Sequence, residues 1–143
     1  MATFNPYLNV AGNTEEAFCF YKSVFGAEFA ALRRFKETPV SDRVPAKEKE
    51  QIMHVSLPIG EGNVLVGADA LESMGHKLTI GNNFHISIDT DSKEEAGKLF
   101  NGLSAGGKVE QSLRDTFWGS YFGMVTDKFG IGWMVKYTYP KPK

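Results

Sequence analysis

The segment NTEEAFCFYKSVFG, residues 13–26, returns 79 positions later within SKEEAGKLFNGLSAGG, residues 92–107. A 143-residue chain that spells one amphipathic helix twice is under a strong constraint: it has to build the same small unit two times. Asn13 falls on Ser92 and Glu16 on Glu95. This is the spacing at which a cap side chain and a glutamate satisfy backbone N–H groups that the first helical turn leaves free. Ala17, Phe20, Tyr21 and Val24 fall on Ala96, Leu99, Phe100 and Leu103, and their i, i+3, i+4, i+7 spacing predicts one apolar stripe per helix. Gly26 and Gly106 follow the stripes and suit helix C-termini. The pairs Glu15–Glu16 and Glu94–Glu95 favour the positive end of the helix dipole and are read as helix-starting rather than catalytic.

A strand candidate precedes each helix. In FHISID, Phe84, Ile86 and Ile88 alternate with His85, Ser87 and Asp89; in PYLNV, Leu8 and Val10 alternate with Tyr7 and Asn9. The second connection is one residue longer. With that insertion Leu8, Val10, Tyr7 and Asn9 correspond to Ile86, Ile88, His85 and Ser87. The four aliphatic residues are expected to pack under the helices, and Tyr7, Asn9, His85 and Ser87 to face the other side of the sheet. Three more strand candidates follow each helix: 28–35, 51–58 and 63–68, then 108–113, 120–126 and 132–137. The last two of each set are joined by the turn sequences GEGN (60–63) and DKFG (127–130).

The pattern is βαβββ, twice. It predicts an α+β fold with internal duplication: a single domain over 1–143 made of two βαβββ modules, approximately 1–75 and 80–140. The polar insertion KETPVSDRVPAKEKE (36–50) occurs in the first half only. It reads as a mobile surface loop, with a lid over a site as the alternative. The tail YPKPK is expected to fray.

Composition narrows the functional classes. At this length one compact domain buries roughly 70% of the surface of its unfolded chain. Sixteen basic and seventeen acidic side chains give a net charge of −1. That balance offers no broad electrostatic footprint for nucleic acid. No stretch approaches the ~20 apolar residues of a membrane-spanning helix, and MATFNPYLNV lacks the basic-then-apolar pattern of a secretory signal. A single cysteine, Cys19, suits a reducing compartment. The expectation is a cytoplasmic protein with neither nucleic-acid nor membrane partners.

Several residues carry candidate chemistry. His85 is open to three readings: a hydrogen-bonded strand residue, a pocket residue able to carry a proton, or a metal ligand. His54, in IMHVSL, is either structural or a companion of His85 in a cavity. His76 reads as a solvated loop residue and Cys19 as inert helix packing. Asp115, Trp118 and Tyr121, in RDTFWGSYFG, suit either core or dimer packing or the rim of an apolar pocket.

The stretches FNPYLNVAGNTEEAFCFYKSVFG, IMHVSL, NNFHISIDTDSKEEA and DTFWGSYFGMVTDKFGIGWMV resemble the vicinal oxygen chelate superfamily, which includes glyoxalase I, extradiol dioxygenases and bleomycin-resistance proteins. Within it the resemblance is to the PhnB-like branch. It implies a glyoxalase/bleomycin-resistance-like fold of two curved mixed sheets around a cavity, and a homodimer. In metal-dependent members the first and last strands of each module supply His, Gln or Glu ligands. The resemblance places those positions near Tyr7, Val66, His85 and Met134, of which only His85 carries a standard donor.

What the resemblance implies is therefore a protein of undetermined reaction that binds a small organic ligand in the inter-sheet cavity, with no cofactor and no standard metal site. Tyr7, Asn9, His54, His85, Trp118 and Met134 are the candidate ligand-binding residues. His54 and His85 are the candidates for catalysis. The alternative is a metal-dependent lyase, isomerase or dioxygenase of the glyoxalase type with a relocated ligand set, in which His85 would bind a divalent metal. A third reading, an interaction module with a collapsed cavity, follows from the bulk of Trp133 and Met134. Some proteins of the branch carry a demethylubiquinone methyltransferase label. This chain has no glycine-rich strand-to-helix loop to match it.

Overall fold

The computed structural model describes residues 2, 4–39, 41–60 and 62–140. The chain forms two compact units, Met1–Thr79 and Ile80–Lys143. In the first, the order along the chain is β1 (Tyr7–Val10), α1 (Thr14–Phe25), β2 (Ala31–Arg34), β3 (Ile52–Gly60) and β4 (Asn63–Asp69). In the second it is β5 (Ile86–Asp89), α2 (Lys93–Ser104), β6 (Lys108–Asp115), β7 (Ser120–Thr126) and β8 (Gly132–Thr138). Each unit holds one four-stranded mixed sheet, ordered β1-β4-β3-β2 and β5-β8-β7-β6. The first strand runs parallel to the last and the other pairings are antiparallel. This is the α+β, twice-βαβββ architecture that the repeat predicts. Among the described residues no helix is long and apolar enough to cross a membrane.

Each helix seats on its sheet through a glycine. A Cβ built on Gly67 of β4 would lie 2.5 Å from the Phe18 ring, and one on Gly123 of β7 would lie 2.6 Å from the Phe100 ring. Gly67 pairs with Leu8, and Gly123 with Val135, so these residues line the helix-facing sides of the sheets. On α2 the expected stripe of Ala96, Leu99, Phe100 and Leu103 is buried. On α1 it is not: Thr14, Ala17, Phe18 and Tyr21 are buried, whereas Phe20 and Val24 are half-buried. The Phe18 ring fills the space above Gly67, which rotates the contact face relative to the sequence pattern. Cys19 consequently points outward and is exposed rather than packed.

The caps also differ. In α2 Ser92 Oγ accepts from Glu95 N–H at 3.0 Å, and Glu95 Oε1 accepts from Asp91 N–H at 2.9 Å. In α1 the Asn13 side chain makes no cap hydrogen bond. Its place is taken by Asp69, at the end of β4. Asp69 Oδ1 accepts from Thr14 N–H at 3.0 Å and from Thr14 Oγ1–H at 2.7 Å, and Oδ2 accepts from Ile52 N–H at 2.8 Å. One buried carboxylate thus starts both a helix and a strand.

The insertion 36–50 is a folded element rather than a free loop. Its described residues form short 3-10 turns at Ser41–Arg43 and Ala46–Glu48, following one at Phe35–Glu37. Val44 is buried with Phe35 and Leu71, and Met53 packs against them. Ser73 Oγ–H donates to the buried Glu48 carboxylate, closing the element onto the segment after β4. Val40 lies outside the described residues, as do Glu61 of the GEGN turn and residues 141–143 of the tail. Two strand limits are narrower than the pattern predicts. β2 runs only from Ala31 to Arg34, and β5 begins at Ile86, so that Phe84, 63% exposed, and His85 both precede it.

Candidate functional site

The best-defined cluster of polar groups lies in the second unit, and a bulge creates it. Val109 pairs with Val125 but Gln111 pairs with Met124, so Glu110 is an extra residue in β6. Bulges of this kind re-aim a side chain out of the strand's alternation. Here Glu110 reaches two groups: Thr126 Oγ1–H donates to Oε1 at 2.6 Å, and His85 Nε2 lies 2.8 Å from Oε2. Together with the Lys108 ammonium, these bonds hold the Glu110 carboxyl below the usual carboxylate range; the Thr126 hydroxyl contributes most and His85 next. His85 itself rests on Gly132, where an added Cβ would come within 2.9 Å of the ring.

The wall beside this cluster is the β7–β8 turn. Asp127, buried, accepts through Oδ1 from Phe129 N–H (2.8 Å) and Ile131 N–H (3.1 Å) and through Oδ2 from the fully buried Trp133 Nε1–H (2.7 Å). That carboxylate fixes the turn that carries Gly130 and Gly132. Ile80, Asn82, Phe84, His85, Glu110 and Thr126 surround a half-open cavity of about 360 Å³ with these glycines. This is within the size range of small-ligand sites. Ile80 and Phe84 are 69% and 63% exposed and supply apolar walls.

The lowered Glu110 pKa makes an acid-side prediction. A carboxyl whose folded pKa lies below its unfolded value near 4.5 contributes stability above that value and loses it as pH falls through the folded pKa. Glu110→Gln should therefore cost stability at pH 7 and progressively less below pH 4.5. Urea midpoints of both proteins at pH 7 and pH 3.5 measure this; a gap that stays constant with pH contradicts it.

The sequence-chosen residues fall in both units. In the first, Tyr7 pairs with Val66, Val66 with Ser56 and Ser56 with Ala31, a row across all four strands on the face turned away from α1. Asn9 shares that face, two residues along β1 from Tyr7, and half-buried His54 stands opposite Arg33. Tyr7 is 54% exposed. In the second unit Met134 pairs with Ser87 and Met124 on the face away from α2. Trp118, in the β6–β7 turn, stacks edge-on with Phe117 and Phe122 at centroid distances of 4.9 and 6.0 Å. His76 is exposed, yet its Nδ1 accepts from Leu71 N–H at 3.3 Å and its ring borders a second cavity, of about 410 Å³.

Met134 thus lies beside Ser87, while Val66 lies beside Tyr7. The two last strands are entered through turns of different length: residues 61–62 separate Gly60 from Asn63, and residues 127–131 separate Thr126 from Gly132. The positions that the resemblance assigns to a metal carry a phenol, an isopropyl group, an imidazole and a thioether. These do not make the donor set of a hard divalent ion. Among the described residues no three His, Cys, Asp or Glu side chains converge as a metal group. Glu110, Thr126 and Asn82 escaped the sequence reading. Glu110 acts through a bulge, and strand alternation gives no sign of one.

Comparison with known proteins bears on the whole chain. "Protein YjdN" of Escherichia coli (strain K12) is 33% identical over 142 residues, covering 96% of this chain and 97% of the relative. The crystal structure of protein PA1353 from Pseudomonas aeruginosa is 37% identical, with a TM-score of 0.84 over 96% of this chain and 98% of that one. A putative 3-demethylubiquinone-9 3-methyltransferase, PhnB protein, from Bacillus cereus shares the fold at 23% identity, with a TM-score of 0.76 over 96% and 100% of the chains. With its family profile matched across residues 3–135 and a one-third-identical relative along almost its full length, the chain belongs to the Glyoxalase/Bleomycin resistance protein/Dioxygenase superfamily.

Proposed function

We propose that this protein binds a small organic molecule in the cavity bordered by His85, without a metal ion. The observation that carries the reading is that cavity itself: apolar walls from Ile80 and Phe84 converge on one hydrogen-bonded polar cluster, His85–Glu110–Thr126. A few placed polar groups in an apolar concavity orient a ligand. Metal independence is supported by the donor set at Tyr7, Val66, His85 and Met134. The protein works as a homodimer in a reducing cytoplasm, a reading supported by the family resemblance and by the unpaired, exposed Cys19.

Screening small aromatic and heterocyclic compounds by thermal shift in the presence of a chelator tests it. A ligand at one hundred times its Kd adds about 2.7 kcal/mol, and its amide shifts should centre on residues 80–85 and 130–132. Stabilisation that needs added Zn²⁺, Mn²⁺ or Ni²⁺, or shifts centred elsewhere, would overturn this reading.

A further inference from the structure

We infer that Glu110 locks His85 as the Nε2–H tautomer, and that the site thereby selects apolar ligands bearing a hydroxyl donor, such as a phenol, over the matching ethers. This deepens the proposed binding function and rests on it. The argument is one of donor and acceptor counting. An ionised carboxylate only accepts. Glu110 Oε1 already takes the Thr126 hydroxyl proton, and Oε2 sits 2.8 Å from His85 Nε2, so the imidazole must donate there. A neutral imidazole has one donor and one acceptor. With its donor committed, His85 can offer only Nδ1, as an acceptor. Among the described residues no protein group hydrogen-bonds that nitrogen.

His85 Cδ2 and Cγ lie close to Gly132, where an added Cβ would come within 2.9 and 3.2 Å of them. Ile80 and Phe84 line the same cavity and offer an apolar body nothing to hydrogen-bond. Asn82 carries both a donor and an acceptor and discriminates poorly. The other polar side chains of the cavity then act as acceptors: His85 through Nδ1, and Glu110 and Thr126 through the lone pairs that their mutual bonds leave over. A ligand hydroxyl satisfies such an acceptor, whereas an ether oxygen would set one lone pair against another. Sites built to hydrogen-bond a ligand hydroxyl reject analogues that lack it. Lys108 is the other charged group acting on Glu110, and it favours the carboxylate form on which the tautomer depends.

The first readout is long-range proton–nitrogen NMR of the full chain at pH 8.5. His85 should show the Nε2–H tautomer alone, and in Glu110→Gln, where the amide can donate as well as accept, both tautomers should appear. The second is the affinity of 4-cresol against 4-methylanisole, followed by amide shifts of residues 80–85. The wild type should prefer 4-cresol by about tenfold or more, and Glu110→Gln by less than about threefold. A wild-type His85 carrying its proton on Nδ1 overturns the inference, and needs no variant to show it. Equal binding of the two probes also overturns it while leaving the binding function standing. If neither probe perturbs the cavity, the hydroxyl selectivity is overturned, while the binding function is decided by the wider thermal-shift screen.

Discussion

Asp69→Ala should destabilise the protein by about 4 kcal/mol, because three donors lose a charged acceptor at once and two of them are backbone groups. Thr14 N–H, Thr14 Oγ1–H and Ile52 N–H all end on this carboxylate, which is 5% exposed, and Thr14 and Ile52 are themselves almost fully buried. Water cannot readily replace a partner there, so each donor bears its own desolvation cost. Asp69→Asn should cost less than alanine, since Oδ1 survives, but its amide N–H₂ would face the Ile52 N–H. The contrast with the helix caps sharpens the test. Ser92→Ala should cost about 1 kcal/mol, as cap removal generally does, whereas Asn13→Ala should cost under about 0.5 kcal/mol because Asn13 makes no cap bond. Urea unfolding at pH 7 measures all four. An Asp69→Ala midpoint close to wild type, or an Asn13→Ala loss as large as that of Ser92→Ala, would refute the assignment of the cap to Asp69.

Gly67→Ala should cost about 3 kcal/mol, an unusually large effect for adding one methyl group. The added Cβ would sit 2.5 and 2.7 Å from two carbons of the Phe18 ring and 3.1 Å from the Leu8 carbonyl oxygen. Phe18 is fully buried and Leu8 is backbone-paired in the sheet, so neither can yield cheaply. α1 would have to lift from the sheet. Gly123→Ala should behave alike in the second unit, where the Cβ meets the Phe100 ring at 2.6 Å and Leu113 Cδ2 at 3.1 Å. The decisive measurement is a double-mutant cycle. Shortening the ring with Phe18→Leu should make Gly67→Ala cheaper by more than about 1 kcal/mol, since the clash disappears with the ring edge. Simple additivity of the two substitutions would show that the glycine is kept for another reason.

These two effects share a position in the fold. Gly67 and Asp69 stand two residues apart on β4, so one short strand segment both receives α1 and begins its first turn. The second unit separates the tasks: Gly123 on β7 receives α2, while Ser92 caps it locally. The repeat is thus stricter in its outline than in its fastenings. That is why the α2 stripe was legible from Ala96, Leu99, Phe100 and Leu103, and the α1 stripe was displaced toward Phe18.

The insertion makes a similar point. Its prolines and charges look like a free surface loop, and one apolar residue, Val44, decides otherwise by joining Phe35 and Leu71. A lone buried apolar side chain among the described residues of such a polar-rich segment leaves no periodic trace, so only the folded contacts reveal it.

What the sequence determined by itself was most of what repeats with the period of a helix or a strand: the two βαβββ units, the faces of Leu8, Val10, Tyr7 and Asn9, and the stripe and cap of α2. Those features are local, so neighbouring residues encode them. The tertiary structure alone decided which groups meet across elements: Asp69 with Thr14 and Ile52, Phe18 with Gly67, and Glu110 with both His85 and Thr126. Each of these contacts joins residues far apart in sequence, and the last depends on a bulge that shifts β6 by one residue. Alternation along a strand cannot encode such a shift, because the extra residue is defined only against its partner strand.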